Sequence, residues 1–152
     1  MKKQKLILEQ IDRKILLLKS IEDLAIPSTG WIKAIRKSLG LSLRQLGSRM
    51  GITAQSVKEI EEREMYGTIS LKVLKQFGNS LNMKLVYGFI PARASLESMI
   101  NERAMELARE IVQRTSISMK LEDQENEPAR INEAITETAN DLKSQMPRYL
   151  WD

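Results

Sequence analysis

The sequence predicts a mainly α-helical protein. Over most of its 152 residues, apolar side chains recur every three or four positions, which is the spacing that gives an α-helix one apolar face. The densest example is Leu41–Arg63, where two short helical patterns are separated by a glycine. One short run, Met83–Pro91, is instead rich in residues that favour β-strands. The predicted architecture is therefore a set of packed helices with one short β-strand.

The stretch Leu41–Arg63 predicts two helices joined by a tight turn. Ser42 can cap the first helix, Gly51 can end it in the left-handed conformation, and Thr53 can cap the second. The small residue Gly47 suits a steep crossing of two helices over a short turn. Two helices held in this way can place the second one in the major groove of DNA. The second helix is therefore the candidate reading helix.

Apolar patterns on either side of this stretch extend the helical prediction. Residues 3–24 predict an amphipathic helix, for which a core-covering role and a role as a dimer arm or partner-binding helix are both open. Residues 95–114 and 128–146 predict two further helices. The predicted domains are an N-terminal amphipathic helix at residues 1–29, a DNA-binding domain ending in the strand at 30–91, and a C-terminal helical region for dimer or partner binding at 92–152.

The strand predicted at Met83–Pro91 needs a partner, because a lone strand leaves its backbone groups unpaired. One candidate within the chain is Ser116–Leu121, where apolar and polar residues alternate. The other candidate is the same strand of a second subunit, paired antiparallel about a two-fold axis. We favour the second, because it would join two DNA-binding domains into a homodimer. The predicted dimer contacts are Leu85, Val86, Tyr87 and Phe89.

Composition argues against an enzyme. The chain has no Cys and no His, which removes thiolate nucleophiles, the commonest metal ligand and the commonest general base. We therefore expect no catalytic residues, no metal and no cofactor. Twenty-four Lys and Arg against 20 Asp and Glu give a net charge of +4, a mild bias that suits a phosphate backbone. The longest apolar run, Ile15–Leu18, is far too short to span a membrane, so we expect a cytoplasmic, nucleoid-associated protein.

The residues of the central stretch resemble the helix-turn-helix of Cro and lambda-type phage repressors (Xre type). The matching positions are Leu43–Gly47, Gly51–Val57 and Ile60–Glu61. This resemblance implies a five-helix, lambda-repressor-like domain that binds double-stranded DNA at a pseudo-palindromic operator. That family usually closes its reading helix with Glu-Asn-Gly or Glu-Arg-Gly, whereas this chain continues from Glu62 to Gly67. The reading helix is therefore expected to run longer or to turn differently.

The same resemblance implies which side chains meet DNA. Gln45 is expected to touch a phosphate, a positioning contact that carries no sequence information. In the groove, the Gln55 amide can pair with adenine, the Lys58 ammonium can donate to guanine and the Glu59 carboxylate can accept from cytosine. Ala54 can meet a thymine methyl group. The remaining candidates are Arg44, Arg49, Lys33 and Arg36 for phosphates, and Thr53 and Ser56 for phosphates or for capping.

A wider resemblance covers roughly residues 11–108. The runs Trp31–Gly40, Glu61–Leu71 and Leu85–Tyr87, the last of them ahead of Pro91, are similar to the small family called mobile mystery protein A. Members of that family are encoded beside a Fic-domain protein, so the resemblance implies an antitoxin-like autorepressor with a Fic-type toxin as its partner. A solitary phage or mobile-element repressor and an interaction scaffold that does not bind DNA are the alternatives.

Antitoxins that restrain Fic enzymes often carry the pattern Ser/Thr-x-x-x-Glu-Gly/Asn. This chain has two near matches, Ser98 with Glu102 and Ser118 with Glu122. In both cases the residue after the glutamate is neither Gly nor Asn. Because the pattern is short, chance explains each near match better than an inhibitory role does.

Overall fold

The computed structural model describes the backbone of residues 2–121 and 128–152 and the side chains of residues 2–116 and 128–152. These residues are mainly α-helical, as predicted. Two 3₁₀-helices, Lys19–Ile21 and Arg148–Trp151, accompany the α-helices. The seven α-helices are α1 (Lys2–Leu18), α2 (Trp31–Ser38), α3 (Leu43–Met50), α4 (Ala54–Tyr66), α5 (Leu71–Ser80), α6 (Leu96–Leu121) and α7 (Pro128–Gln145).

The chain divides into two compact units. One unit is Asp23–Gly88, and the other combines Met1–Glu22 with Phe89–Asp152. The first unit contains α2 to α5, so it has four helices instead of the five that the phage-repressor resemblance implies. Helix α1 belongs to the second unit, because its Asp12 side chain accepts hydrogen bonds from the backbone N–H groups of the first two residues of α6.

The unit Asp23–Gly88 is organised around a small apolar core to which each of its four helices contributes. Because the core side chains come from four different helices, the packing of this core fixes the helices relative to one another. These buried side chains are Ile32 from α2, Leu46 from α3, Val57 and Ile60 from α4, and Phe77 from α5.

Local sequence signals set the ends of α3 and α4. The Ser42 hydroxyl accepts a hydrogen bond from the Gln45 N–H, and the Gln45 side chain accepts one from the Ser42 N–H, which completes a capping box. Gly51 then ends α3 with a φ of 72°. Helix α4 begins after the Thr53 cap and ends at Gly67, where φ is 77°. Helix α4 therefore continues through residues 62–66, where this chain departs from the phage pattern.

The prediction of a β-strand at Met83–Pro91 is wrong for this single chain. No strand occurs among the described residues, and Ser116–Leu121, the partner considered within the chain, lies in α6. The Met83 N–H donates to the Gly78 carbonyl oxygen at 2.7 Å. In the described part of the chain, residues 84–90 form no further backbone hydrogen bond. The β-forming composition was recognisable, but a strand requires a neighbouring edge, and the chain does not supply one.

The second unit is built on the pairing of α6 with α7. Small side chains allow the two helices to approach closely, and the C-terminal segment packs onto them. The Arg103 guanidinium donates to the backbone carbonyl oxygens of Leu150 and Asp152, while Tyr149 and Trp151 stay about half exposed. The buried side chains of this core are Ala104, Ala108, Ala139, Leu142 and Leu150. Among the described residues, no helix is both long enough and apolar enough to cross a membrane.

Candidate nucleic-acid interface

The turn between α3 and α4 approaches α3 at very close range. Gly47 is buried, and a Cβ atom placed on it would lie only 2.6 Å from the carbonyl oxygen of Ile52. The Ile52 N–H donates to the Gly47 carbonyl oxygen at 2.8 Å, so the turn closes directly onto α3. The absence of a side chain at residue 47 is what lets the turn between the two helices approach this closely.

Helix α4 has one buried face and one exposed face. Val57, Ile60 and Glu61 are buried. At the helical period, the opposite face carries Gln55 and Glu59, both exposed. Two of the side chains proposed to enter the groove therefore lie on one exposed stripe of α4.

Lys58 lies at the side of this stripe and comes close to a second predicted DNA contact. With Lys33 of α2 it lines a cleft of about 200 Å³ between α2 and α4. Glu62 lines the same cleft. Arg44 and Arg49 are exposed on α3. Arg36 and Glu61 line the cleft as well, so the structure brings three of the predicted basic residues together beside α4.

The start of α4 holds the two hydroxyl groups predicted to bind phosphate or to cap. The Thr53 hydroxyl oxygen accepts from the Ser56 N–H at 3.0 Å, and its hydrogen is donated to the Ser56 hydroxyl oxygen at 2.9 Å. The Ser56 hydroxyl hydrogen is therefore the one that could be donated to a phosphate. Ala54 is half-buried at the first position of the helix, so only part of its surface could meet a thymine methyl group.

The Gln45 side chain helps to cap α3 through its amide oxygen and also carries an amide NH₂ group. Its side-chain oxygen accepts from the Ser42 N–H at 2.8 Å, as part of the capping box. An amide group has an NH₂ as well, and Gln45 is exposed at the start of α3. The cap uses the amide oxygen, so the amide NH₂ is the group that could donate to a DNA phosphate.

Arg36, which the sequence assigned to a phosphate, is largely buried and is bonded within the domain. Its Nε and Nη2 atoms donate to the two carboxylate oxygens of Glu61 at 2.6 and 3.3 Å, and its Nη1 donates to the Leu41 carbonyl oxygen at 3.0 Å. The two side chains are 11% and 5% exposed. This buried, bidentate ion pair joins α2 to α4.

Glu64 is a second carboxylate on the inner side of α4 that sequence reasoning missed. It accepts from the backbone N–H groups of Trp31 and Ile32 at 2.9 and 2.8 Å, and so caps the start of α2. Gly30 precedes that helix with a φ of 86° and supplies no side-chain cap of its own. The spacing of Val57, Ile60 and Glu64 places Glu64 on the buried face, a signal from which a buried partner could have been predicted.

Positive charge is concentrated in this unit. Asp23–Gly88 contains ten Lys and Arg against five Asp and Glu, a net charge of +5. The rest of the chain contains 14 basic and 15 acidic residues, a net charge of −1. The unit that carries the reading helix is therefore the one that a polyanion would attract.

Three of the predicted dimer residues, Leu85, Val86 and Tyr87, lie at the end of this unit, and the fourth, Phe89, is the first residue after it. Val86, Tyr87 and Phe89 are 67%, 60% and 87% exposed, whereas Leu85 is half-buried. Such exposure of neighbouring apolar side chains is unusual for a surface that faces only water.

Residues 32–87 match a family model described as helix-turn-helix. They are a helix-turn-helix domain of the Cro/C1 type. The match covers α2 to α5, so the crossing at Gly47 and the exposed stripe of α4 fall inside the helix-turn-helix domain. A domain of this kind implies DNA binding and transcriptional regulation, and it is typical of regulators that are not enzymes. Searches of the curated proteins and of the solved structures returned no significant match.

Proposed function

We propose that this protein is a sequence-specific transcriptional repressor that binds the DNA upstream of its own gene as a homodimer. The exposed stripe of α4 carries this proposal. Gln55 and Glu59 lie there on a helix whose opposite face is anchored by Val57 and Ile60. An amide and a carboxylate at successive turns of one exposed face offer different base-edge contacts. A two-fold dimer would present two such helices to half-sites about 34 Å apart.

The first test is fluorescence anisotropy of the full chain on its own upstream DNA and on a scrambled duplex, at two salt concentrations. The proposal expects salt-sensitive binding that prefers the upstream DNA by about a thousandfold or more. Equal, weak binding to both duplexes would contradict sequence-specific regulation. A lack of salt-dependent binding to either duplex would instead favour the interaction-scaffold alternative.

A matched pair of variants separates base reading from backbone contact. Gln55→Ala should weaken binding to the upstream DNA by roughly 5- to 150-fold and leave binding to the scrambled duplex nearly unchanged, because only base contacts distinguish the two. Gln76→Ala is the control, since Gln76 is an exposed glutamine on α5 of the same domain. Equal losses on the two duplexes for Gln55→Ala would assign this residue to the phosphate backbone.

We also propose that the protein is the antitoxin-like partner of a Fic-type toxin, on the strength of its resemblance to the mobile mystery protein A family. Both residues of the motif candidate within the described side chains have a polar neighbour. Ser98 shares a hydrogen bond with the Ser95 hydroxyl, and Glu102 lies 3.5 Å from Arg93. The second candidate, Ser118 with Glu122, falls outside the residues whose side chains the structure describes.

Co-expression with the product of a neighbouring Fic-domain gene tests the partnership. A stable complex that suppresses the toxin's nucleotidyl transfer would support it. Retained suppression by Glu102→Ala would show that Glu102 is not the inhibitory group. A chain that binds its operator but forms no complex would be the solitary repressor.

A further inference from the structure

We propose that an apolar cleft in the helix-turn-helix domain is the socket for Tyr87 of a second copy of this chain, so that each subunit of the dimer covers the cleft of the other. This inference rests on the homodimer proposed above and adds a register and a contact to it. Three features carry it: the cleft, the unpaired segment beside the cleft, and the alternation of side chains along that segment.

The cleft has a volume of about 240 Å³ and lies between α2, α5 and residues 83–86. Trp31, Leu74 and Phe77 line it, together with the segment itself. Small-molecule sites are typically about 300–1,000 Å³, so this cleft is small for an effector. Its apolar lining suits one large side chain delivered by a neighbouring protein surface.

The segment beside the cleft has backbone groups to offer. Within the described part of the chain, residues 84–90 form no backbone hydrogen bonds, and their composition favours a strand. The approach of Met83 to the end of α5 holds the segment against the cleft, because a Cβ on Gly78 would lie 2.8 Å from the Met83 carbonyl oxygen. An identical segment of a second copy can pair with it antiparallel, so that the backbone groups on the facing edge of each segment are hydrogen-bonded.

Two-fold symmetry restricts the register of such a pair. Residues directly opposite each other project from the same face of the ladder, so one residue must lie opposite its own copy. With Val86 at the centre, Leu85 lies opposite Tyr87 of the second copy, and Met83 lies opposite Phe89. Residues 83–86 all line the cleft, but Leu85 is half-buried whereas Val86 is 67% exposed, so the face of the segment that carries Leu85 is the one turned toward the cleft. This register therefore brings the exposed Tyr87 side chain onto the cleft side of the partner.

A register in which Tyr87 lies opposite its own copy would not bring Tyr87 to the cleft of the partner. Leu85 would then meet only Phe89. We therefore choose the register that places Tyr87 opposite Leu85 of the partner.

Cysteine cross-linking tests the register directly, because the chain contains no cysteine. In the proposed pair the two Val86 Cβ atoms lie about 4.5–5.5 Å apart, within reach of a disulfide after small adjustment. Mild oxidation should give a covalent dimer for Val86→Cys and far less for Leu85→Cys or Tyr87→Cys alone. Mixing the latter two variants should give a cross-linked heterodimer. Strongest cross-linking of Tyr87→Cys to itself would overturn the register.

The monomer–dimer equilibrium of the full chain, followed by its mass in solution as concentration is varied, tests the Tyr87 contact. Tyr87→Glu should raise the dimer dissociation constant at least about thirtyfold, as expected for a lost central anchor. Tyr66→Glu is the control, because Tyr66 is 75% exposed and lies outside the proposed interface. Equal effects of the two variants would contradict the socket. Circular dichroism checks that both variants remain folded.

Emission from Trp31 tests whether the cleft is covered. In a Trp151→Phe background Trp31 is the only tryptophan, and it is 40% exposed in the single chain. Its emission should shift to shorter wavelength as concentration drives dimer formation. A change in mass without this shift would overturn the socket while leaving the dimer intact. A monomer that still prefers its upstream DNA would overturn the inference and leave the repressor function standing.

Discussion

Removing one partner of the buried pair between Arg36 and Glu61 should destabilise the helix-turn-helix domain far more than removing both. The two side chains are 11% and 5% exposed and are joined by two hydrogen bonds. Arg36→Met leaves the Glu61 carboxylate buried without its cation, which costs about 3–5 kcal/mol of unfolding free energy. Glu61→Leu leaves the Arg36 guanidinium buried without its anion, and we expect a similar loss of unfolding free energy.

The double variant Arg36→Met/Glu61→Leu should recover most of this loss. It removes both charges and puts apolar side chains of similar size in their place, an exchange that is often neutral. The Leu41 carbonyl oxygen still loses its donor from Arg36, which costs about 1 kcal/mol. We therefore expect the unfolding free energy of the double variant to lie within about 1–2 kcal/mol of the parent value. It should be well above the unfolding free energy of either single variant.

Urea denaturation followed by Trp31 emission is the appropriate assay, in a Trp151→Phe background. The chain has two compact units, and a signal from both would not give one well-defined free energy. Trp31 begins α2 and reports on the unit that contains the pair. Lys33→Met, on the same helix, is the control and should change stability by no more than about 0.5 kcal/mol.

Two results would refute this reasoning. A loss below about 1 kcal/mol for Arg36→Met would place the pair among solvent-exposed ion pairs, whose contribution is that small. A double variant as unstable as the sum of the single variants would show that the two residues act independently.

Three further substitutions test contacts at helix starts. Glu64→Ala should cost about 1–2 kcal/mol in the same assay, because the Trp31 and Ile32 N–H groups lose a charged acceptor; an unchanged midpoint would contradict this cap. Gly30→Ala should cost at least as much, since a Cβ would lie 2.7 Å from Glu64 Oε1 at a φ of 86°. Asp12→Ala should cost about 1–2 kcal/mol in the other unit, read by Trp151 emission in a Trp31→Phe background, with Asp12→Asn intermediate.

The parts of the fold that sequence alone predicted are those fixed by near neighbours. The caps at Ser42 and Thr53 and the stop at Gly51 each depend on residues within one turn of the chain, so their residue types are sufficient signals. The crossing at Gly47 followed from side-chain size alone. These local features were enough to predict the two central helices and the turn between them.

The parts that sequence did not predict depend on residues far apart in the chain. Arg36 meets Glu61 across 25 positions, and Asp12 meets the start of α6 across 84. A surface arginine and a buried one look alike in a sequence, so Arg36 was assigned to phosphate. The strand failed for a related reason, since β-forming composition at residues 83–91 does not reveal whether an edge is available.

The two missed carboxylates change how DNA binding by this domain should be interpreted. Glu61 and Glu64 both tie α4 to α2, one through Arg36 and one through backbone N–H groups. Substituting either glutamate should lower operator affinity by loosening the reading helix, although neither is assigned a contact with DNA. Because no phosphate contact is removed, the salt dependence of binding should keep its slope, whereas loss of a true phosphate contact reduces that slope by about 1. Affinity loss with an unchanged slope would therefore assign these residues to positioning α4, and a reduced slope would show that the backbone contacts move with it.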